Sequence, residues 1–272
     1  MVPAVLDTDP QPIAKDTWLI PTIAAEGSGA YFAAHSLLIR GEQPVIVDTG
    51  CSMVRDAWSR QVFSLVDPTD VRWVFLSHDD HDHLGNLEFV LDRCPNATLV
   101  CNFAIVARLF GSLDLPIDRM RWVDPGDTLD IGDRVLQIVR PPMFDSPATR
   151  GVYDPTTRML WAVDSFGTFL PGEVYEADDV PEEMYDFSFG ALNAWNTPWL
   201  EWVDVDRYAT HVDATASLPL DVVAGAHGPV HRGARIGDAF RRTLELAARP
   251  APPTPGQDVL EQMVSMLVAA VG

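Results

Sequence analysis

Six consecutive residues, His78-Asp79-Asp80-His81-Asp82-His83, are all histidine or aspartate, and they stand one residue past the apolar segment Val71–Leu76 and just before Gly85. Side chains of this kind are expensive to bury unless they are paired or bind a metal. The run therefore belongs at the end of a strand, where α/β folds build their sites. A solvated acidic loop is the bland alternative, and three histidines in six positions argue against it. A metal centre accounts for them better.

Short β-branched segments bounded by Gly, Pro or Asp predict strands at Ser36–Ile39, Val45–Val47, Val71–Leu76, Thr98–Cys101, Val135–Val139, Met159–Val163 and Asp221–Ala224. Helical spacing predicts helices over Met53–Val66 and Asn86–Asp92. Gly126-Asp127 and Gly132-Asp133 predict turns flanking a short hairpin strand. The alternation points to α/β layers with helices outside. Between Pro171 and Trp202 the chain turns acidic and aromatic, with Trp195, Trp199 and Trp202, which predicts helices over one end of the sheets. These aromatics are read first as core and second as a wall over the site. Arg249–Gly256 is a proline-rich stiff linker, and Gln257–Val271 has helical spacing. The expected organisation is one domain over 1–248, with the linker and a C-terminal helix (249–272) packed on that domain or on a second subunit.

The 272 residues carry a formal charge of −20 without any run of Lys or Arg, which excludes nucleic acid and anionic membrane surfaces as expected partners. The first twenty residues lack a basic and apolar leader, and no apolar stretch reaches membrane-spanning length. A cytoplasmic location is the expectation. Cys51, Cys94 and Cys101 form no CxxC pair, so neither a disulfide framework nor a thiolate zinc site is expected.

The order His78-x-Asp80-x-Asp82-His83-x-Gly85 resembles the metallo-β-lactamase superfamily motif His-x-His-x-Asp-His, with a carboxylate in place of the second histidine. A carboxylate at that place is the flavodiiron pattern, His-x-Glu-x-Asp-His-x-Gly. Val45–Gly50, ending Asp48-Thr49-Gly50, resembles the family's early strand. Leu160–Gly167, with Asp164-Ser-Phe-Gly, resembles the strand ending in its bridging aspartate, and Val222–Pro229 resembles the segment carrying the last histidine, His227.

The resemblance implies an αββα sandwich of two mixed sheets with helices outside. It implies one metal held by His78, Asp80 and Asp164 and another by Asp82, His83, Asp164 and His227. Asp82 and Asp164 would carry the chemistry, and Asp48 would support from the outer shell. Two irons binding or reducing O2 or NO is the first reading. A zinc or manganese hydrolase of ester, lactone, thioester or phosphate bonds is the alternative, and a fold that has lost catalysis is the third. Flavodiiron proteins append a flavodoxin-like domain, whereas this chain ends about 45 residues after His227. Electrons are therefore expected from a separate carrier or a neighbouring subunit, and a homodimer is implied by the resemblance. Relatives also supply a further histidine near position 142, where this chain has Pro142. The first metal position is thus open, weaker, or completed by a substitute, for which His81 and Asp145 are the candidates. His231 is read as a surface histidine, and Arg150 as a structural partner of Asp145.

Overall fold

The computed structural model describes residues 4–25 and 29–271, so the outermost residues of the expected division, 1–3 and 272, lie outside the described part. The chain opens with β1 (Gln11–Ala14), β2 (Thr17–Ile20), β3 (Ile23–Ala25), β4 (Tyr31–Ala33), β5 (Ser36–Ile39) and β6 (Val45–Val47). A 3-10 turn at Ser52–Val54 leads into α1 (Arg55–Leu65), followed by β7 (Trp73–Phe75), α2 (His81–Leu84), α3 (Leu87–Arg93), β8 (Thr98–Cys101), α4 (Phe103–Leu109) and β9 (Met120–Trp122). Next come β10 (Thr128–Asp130), β11 (Val135–Val139), β12 (Gly151–Asp154) and β13 (Met159–Trp161). The remainder is α5 (Glu182–Asn196), α6 (Val205–Ala216), β14 (Val222–Ala224), β15 (His231–Arg232), α7 (Ala234–Glu245) and α8 (Gln257–Val271).

One sheet runs β1-β2-β5-β6-β7-β8-β9 and the other β10-β11-β12-β13-β14-β15, while β3 and β4 form a separate ribbon. Both sheets are mixed. β6, β7, β8 and β9 pair in parallel in the first, and only β13 and β14 do so in the second. Alternation along each strand divides the core into layers. Leu37, Ile39, Val45, Val47 and Phe75 face inward against Leu136, Ile138, Met159, Trp161 and Val222 of the other sheet. Their neighbours Leu38, Ile46, Val74 and Leu99 face outward onto Trp58 and Val62 of α1 and Val90 of α3. On the far side, Leu160 and Val223 pack under Tyr185 and Phe189 of α5, Val212 of α6 and Phe240 of α7. This is the αββα arrangement.

Four expected strands have the predicted bounds, while the segment at Val71–Leu76 narrows to Trp73–Phe75 and that at Asp221–Ala224 to Val222–Ala224. The strand expected over Met159–Val163 stops at Trp161, because Val163 turns to φ 56° and leaves the sheet. The β1–β2 hairpin, β12, α6 and α7 had no sequence expectation. β12 opens with Gly151 and ends in the polar Asp154, so its run of four fully buried residues does not read as an apolar strand. On α8, Leu260 and Val264 are about half exposed. Among the described residues, no helix is long and apolar enough to cross a membrane.

Candidate metal centre

The parallel pairs β6–β7 and β13–β14 deliver their carboxyl ends to one edge of the sandwich. β6 leads to Asp48, β7 to His78, β13 to Asp164, and β14 to His227. Asp48 (φ 60°), Val163 (φ 56°) and Phe166 (φ 69°) adopt left-handed backbone angles around this edge. Such angles cost non-glycine residues about 1–3 kcal/mol each and persist where surrounding structure imposes them. At Val163 the branched side chain adds to the penalty.

α2 is a single turn that sends His83 into the interior and leaves Asp82 part-exposed. It is clamped to the Asp48 loop, since Thr49 donates its N–H to the His83 carbonyl at 2.6 Å and Asn86 Nδ2 donates to the Thr49 carbonyl at 2.8 Å. Gly85 makes the close approach feasible: a Cβ there would lie 2.5 Å from the Ser52 nitrogen and 2.7 Å from the His81 carbonyl oxygen.

Each histidine of the cluster has its Nδ1 engaged, which turns Nε2 inward. Asp48 Oδ2 lies 3.0 Å from Nδ1 of His83, the Ser77 hydroxyl 3.0 Å from Nδ1 of His78, and the Ala33 carbonyl 2.7 Å from Nδ1 of His227. Asp48 and the Ala33 carbonyl can only accept. Ser77 Oγ donates to Asp48 Oδ2 at 2.8 Å and so accepts from His78. In the neutral rings the proton therefore sits on Nδ1 in all three, which leaves Nε2 as the atom that takes up either a further proton or a cation.

Asp164 joins the halves. Its Oδ2 lies 3.4 Å from His78 Nε2, and its Oδ1 lies 3.1 Å from His83 Nε2 and 3.3 Å from His227 Nε2. Asp82 Oδ2 is 3.5 Å from His227 Nε2 and 3.7 Å from His83 Nε2. Asp80 and Asp145 each bring Oδ2 to 3.9 Å from His78 Nε2. Metal–ligand bonds of about 2.0–2.2 Å separate adjacent ligand atoms by roughly 3–4 Å, so these spacings fit. The buried atoms His78 Nε2, His83 Nε2 and Asp164 Oδ1 have no protein hydrogen-bond partner, as expected of ligand atoms. His78, His83 and Asp164, then Asp82, His83 and His227, and then His78, Asp80 and Asp145 form groups able to hold a metal ion.

Charge is strongly coupled here. Burial works against the ionised form of Asp164, but His78, His83 and His227 outweigh it and hold the carboxyl well below the usual range. Burial likewise opposes charge on His83, and Asp164 and Asp48 nevertheless raise its proton affinity well above that of a free imidazole. Asp80 is raised, by burial first and by Asp145 and Asp164, against the pull of His78. A metal ion entering this cluster competes with protons for the same atoms.

His81 does not join the centre: it is exposed and its Nε2 sits 3.1 Å from the Ser52 hydroxyl, because the α2 turn sends alternate side chains to opposite sides. Arg150 pairs with Asp124 at 2.6 Å rather than with Asp145, which receives the Thr149 hydroxyl at 3.2 Å. His231 is buried against the Tyr185 hydroxyl, 2.8 Å away, and is no surface residue. Trp202 is exposed, and Trp195 and Trp199 bond the Pro252 and Phe144 carbonyls. The wall over the centre comes instead from Leu192, Asn193 and Asn196 of α5 with Phe32, around a cavity of about 170 Å³ that reaches Asp80, Asp82, Asp164 and His227. Asn193 brackets Gly167, accepting from its N–H and donating to its carbonyl, and Phe32 stacks on His227 at 4.8 Å. No motif signalled Asn193, Asn196 or Phe32, since their roles arise from packing.

Known proteins share this architecture. The flavodiiron protein from Giardia intestinalis superposes with a TM-score of 0.75 at 19% identity, over 88% of this chain and 59% of that chain. The rubredoxin oxygen:oxidoreductase of Desulfovibrio gigas gives 0.72 at 17%, over 87% of this chain and 61% of that chain. In sequence, the diflavin flavoprotein A 1 of Thermosynechococcus vestitus is 33% identical over 204 residues, 73% of this chain and 34% of that protein. The anaerobic nitric oxide reductase flavorubredoxin of Pectobacterium atrosepticum is 28% identical over 200 residues, 73% of this chain and 39% of that protein. The chain thus spans well under half the length of these two relatives. Residues 32–228 match the family described as ODP family beta lactamase, and the chain belongs to that family, a metallo-β-lactamase sandwich homologous to the flavodiiron proteins.

Proposed function

We propose that this chain binds or reduces O2 or NO at a dinuclear iron centre, with His78, Asp80 and Asp164 on one ion and Asp82, His83, His227 and Asp164 on the other. The cavity beside these residues carries the reading. At about 170 Å³ it is smaller than the roughly 300–1,000 Å³ of pockets that enclose larger organic ligands. It suits a diatomic molecule with a few waters better than the bulkier esters, lactones and thioesters of the hydrolytic alternative.

Bound iron would supply Lewis acidity and electrons to such a molecule. The protein's part is positional. Asp164 presents one oxygen to each half and so sets their separation. Phe32 and Leu192 give the cavity an apolar wall that limits water. Asn196 Nδ2, 3.4 Å from Asp164 Oδ2, is an amide donor at the same wall. Asp80 and Asp82, part-exposed at its mouth, open the cavity to solvent on that side. Two of the relatives are named as an oxygen oxidoreductase with rubredoxin and as a nitric oxide reductase, and we extend this to a small redox protein or domain as this chain's electron source.

The test is metal analysis of protein purified without added metal or chelator, joined to absorption spectra under nitrogen, air and NO. Two irons per chain with gas-dependent bands are expected. Zinc with a featureless visible spectrum would overturn the reading and redirect the search to an ester and lactone panel.

A further inference from the structure

The resemblance to the flavodiiron proteins implies an imidazole at the first metal position where this chain has Pro142, yet the loop that follows delivers a carboxylate. Asp145 Oδ2 stands 3.9 Å from His78 Nε2, as near as Asp80 Oδ2 does. The unpartnered, fully buried His78 Nε2 is the atom both approach. The Thr149 hydroxyl holds Asp145 Oδ1 at 3.2 Å, which leaves Oδ2 as the oxygen turned to the centre.

The loop is pinned residue by residue. His211 lies 3.0 Å from the Pro141 carbonyl, the Tyr208 hydroxyl donates to the Pro142 carbonyl at 3.2 Å, and Trp199 donates to the Phe144 carbonyl at 2.8 Å. The Ser165 hydroxyl, next to Asp164, receives the Met143 N–H at 3.1 Å and donates to its carbonyl at 2.9 Å. The carboxylate is thereby preorganised rather than left to find the site. Ligands fixed in this way bind without the entropy loss of a free loop.

We propose that Asp145 is the fourth protein ligand of the first position, in place of the missing imidazole, and that it makes this position prefer hard cations, iron or manganese, over zinc. The inference rests on the dinuclear reading above. The first position then has His78 with the carboxylates of Asp80, Asp145 and Asp164, whereas the second has the imidazoles of His83 and His227 with Asp82 and Asp164. Oxygen donors suit hard ions, and imidazole suits zinc and copper better. Four carboxylates also match the charge of two divalent cations.

The test is titration of the full-length, metal-stripped chain with Mn2+ and, separately, Zn2+ against a chromogenic chelator, with Mn2+ electron paramagnetic resonance as a second readout. The wild type should bind two ions. Asp145→Asn should keep one site near wild-type affinity and weaken the other at least tenfold for Mn2+. Asp145→His should retain two zinc sites and raise the zinc-to-manganese preference of the weaker site at least tenfold. Thr149→Val, which removes only the orienting hydroxyl, should weaken the same site and gives an answer even if an Asp145 variant misfolds. Two sites with unchanged affinities and preference in these variants would overturn the Asp145 assignment while leaving the dinuclear reading standing. Fewer than two ions on the wild type would overturn the dinuclear reading itself.

Discussion

Asp48 Oδ2 lies 3.0 Å from Nδ1 of His83 although the two residues are 35 positions apart, and the same carboxylate receives both the N–H and the hydroxyl of Ser77 at 2.8 Å. An acceptor-only carboxylate is what this arrangement requires. Asp48→Asn replaces one acceptor oxygen by an NH2 that faces other donors, so His83 loses its orientation. Affinity at the second metal position should fall about 10–100-fold, read by chelator competition. Unchanged affinity would mean that Asp48 only supports the loop.

His83→Ala and Asp80→Ala act on different halves. The first should cost the ion held with Asp82 and His227, and the second should weaken the ion held with His78. Elemental analysis should give about one ion per chain for His83→Ala, with the far-ultraviolet circular dichroism of both variants unchanged. Full occupancy in both would refute the ligand assignment.

Gly85→Ala would push a methyl into backbone atoms 2.5, 2.7 and 2.9 Å away, on Ser52, His81 and Gly50. None is the end of a flexible side chain. Overpacking of this kind costs about 1–3 kcal/mol, and thermal unfolding should shift down by several degrees. Because Gly85 seats the turn carrying Asp82 and His83, metal affinity should fall with it.

Burial lowers the pKa of His231 to about 4, helped by Arg235, and that of His35 to about 3, helped by His227. Above the unfolded value near 6.5 both are neutral in either state. As pH falls the unfolded chain takes up protons that the folded chain refuses, so stability is lost from about pH 6.5 down through the folded values. Each histidine contributes at most about 1.4 kcal/mol per pH unit. Urea unfolding of the metal-free protein at several pH values should show this slope, and His231→Gln should reduce it by up to one proton. An equal slope in that variant would show that His231 does not resist protonation.

The amino-acid order by itself carried the strands that end at the site and the residues His78, Asp80, Asp82, His83, Asp164 and His227, because chemistry-bearing residues at strand ends interrupt apolar runs abruptly. The resemblance to the flavodiiron proteins added the expectation of a gap at Pro142. Tertiary structure decided what fills the surroundings of that gap. Asp145 reaches His78 only through a loop pinned by Trp199 and Tyr208, more than fifty positions further along, and His81 is carried away by one turn of helix. Asn193, Asn196 and Phe32 were equally illegible, since a helix face or a ribbon acquires its role only from what it is packed against. The identity of the candidate ligands follows from local chemistry, whereas their direction, the cavity size and the position of Asp164 between the two halves follow from two sheets meeting at one edge.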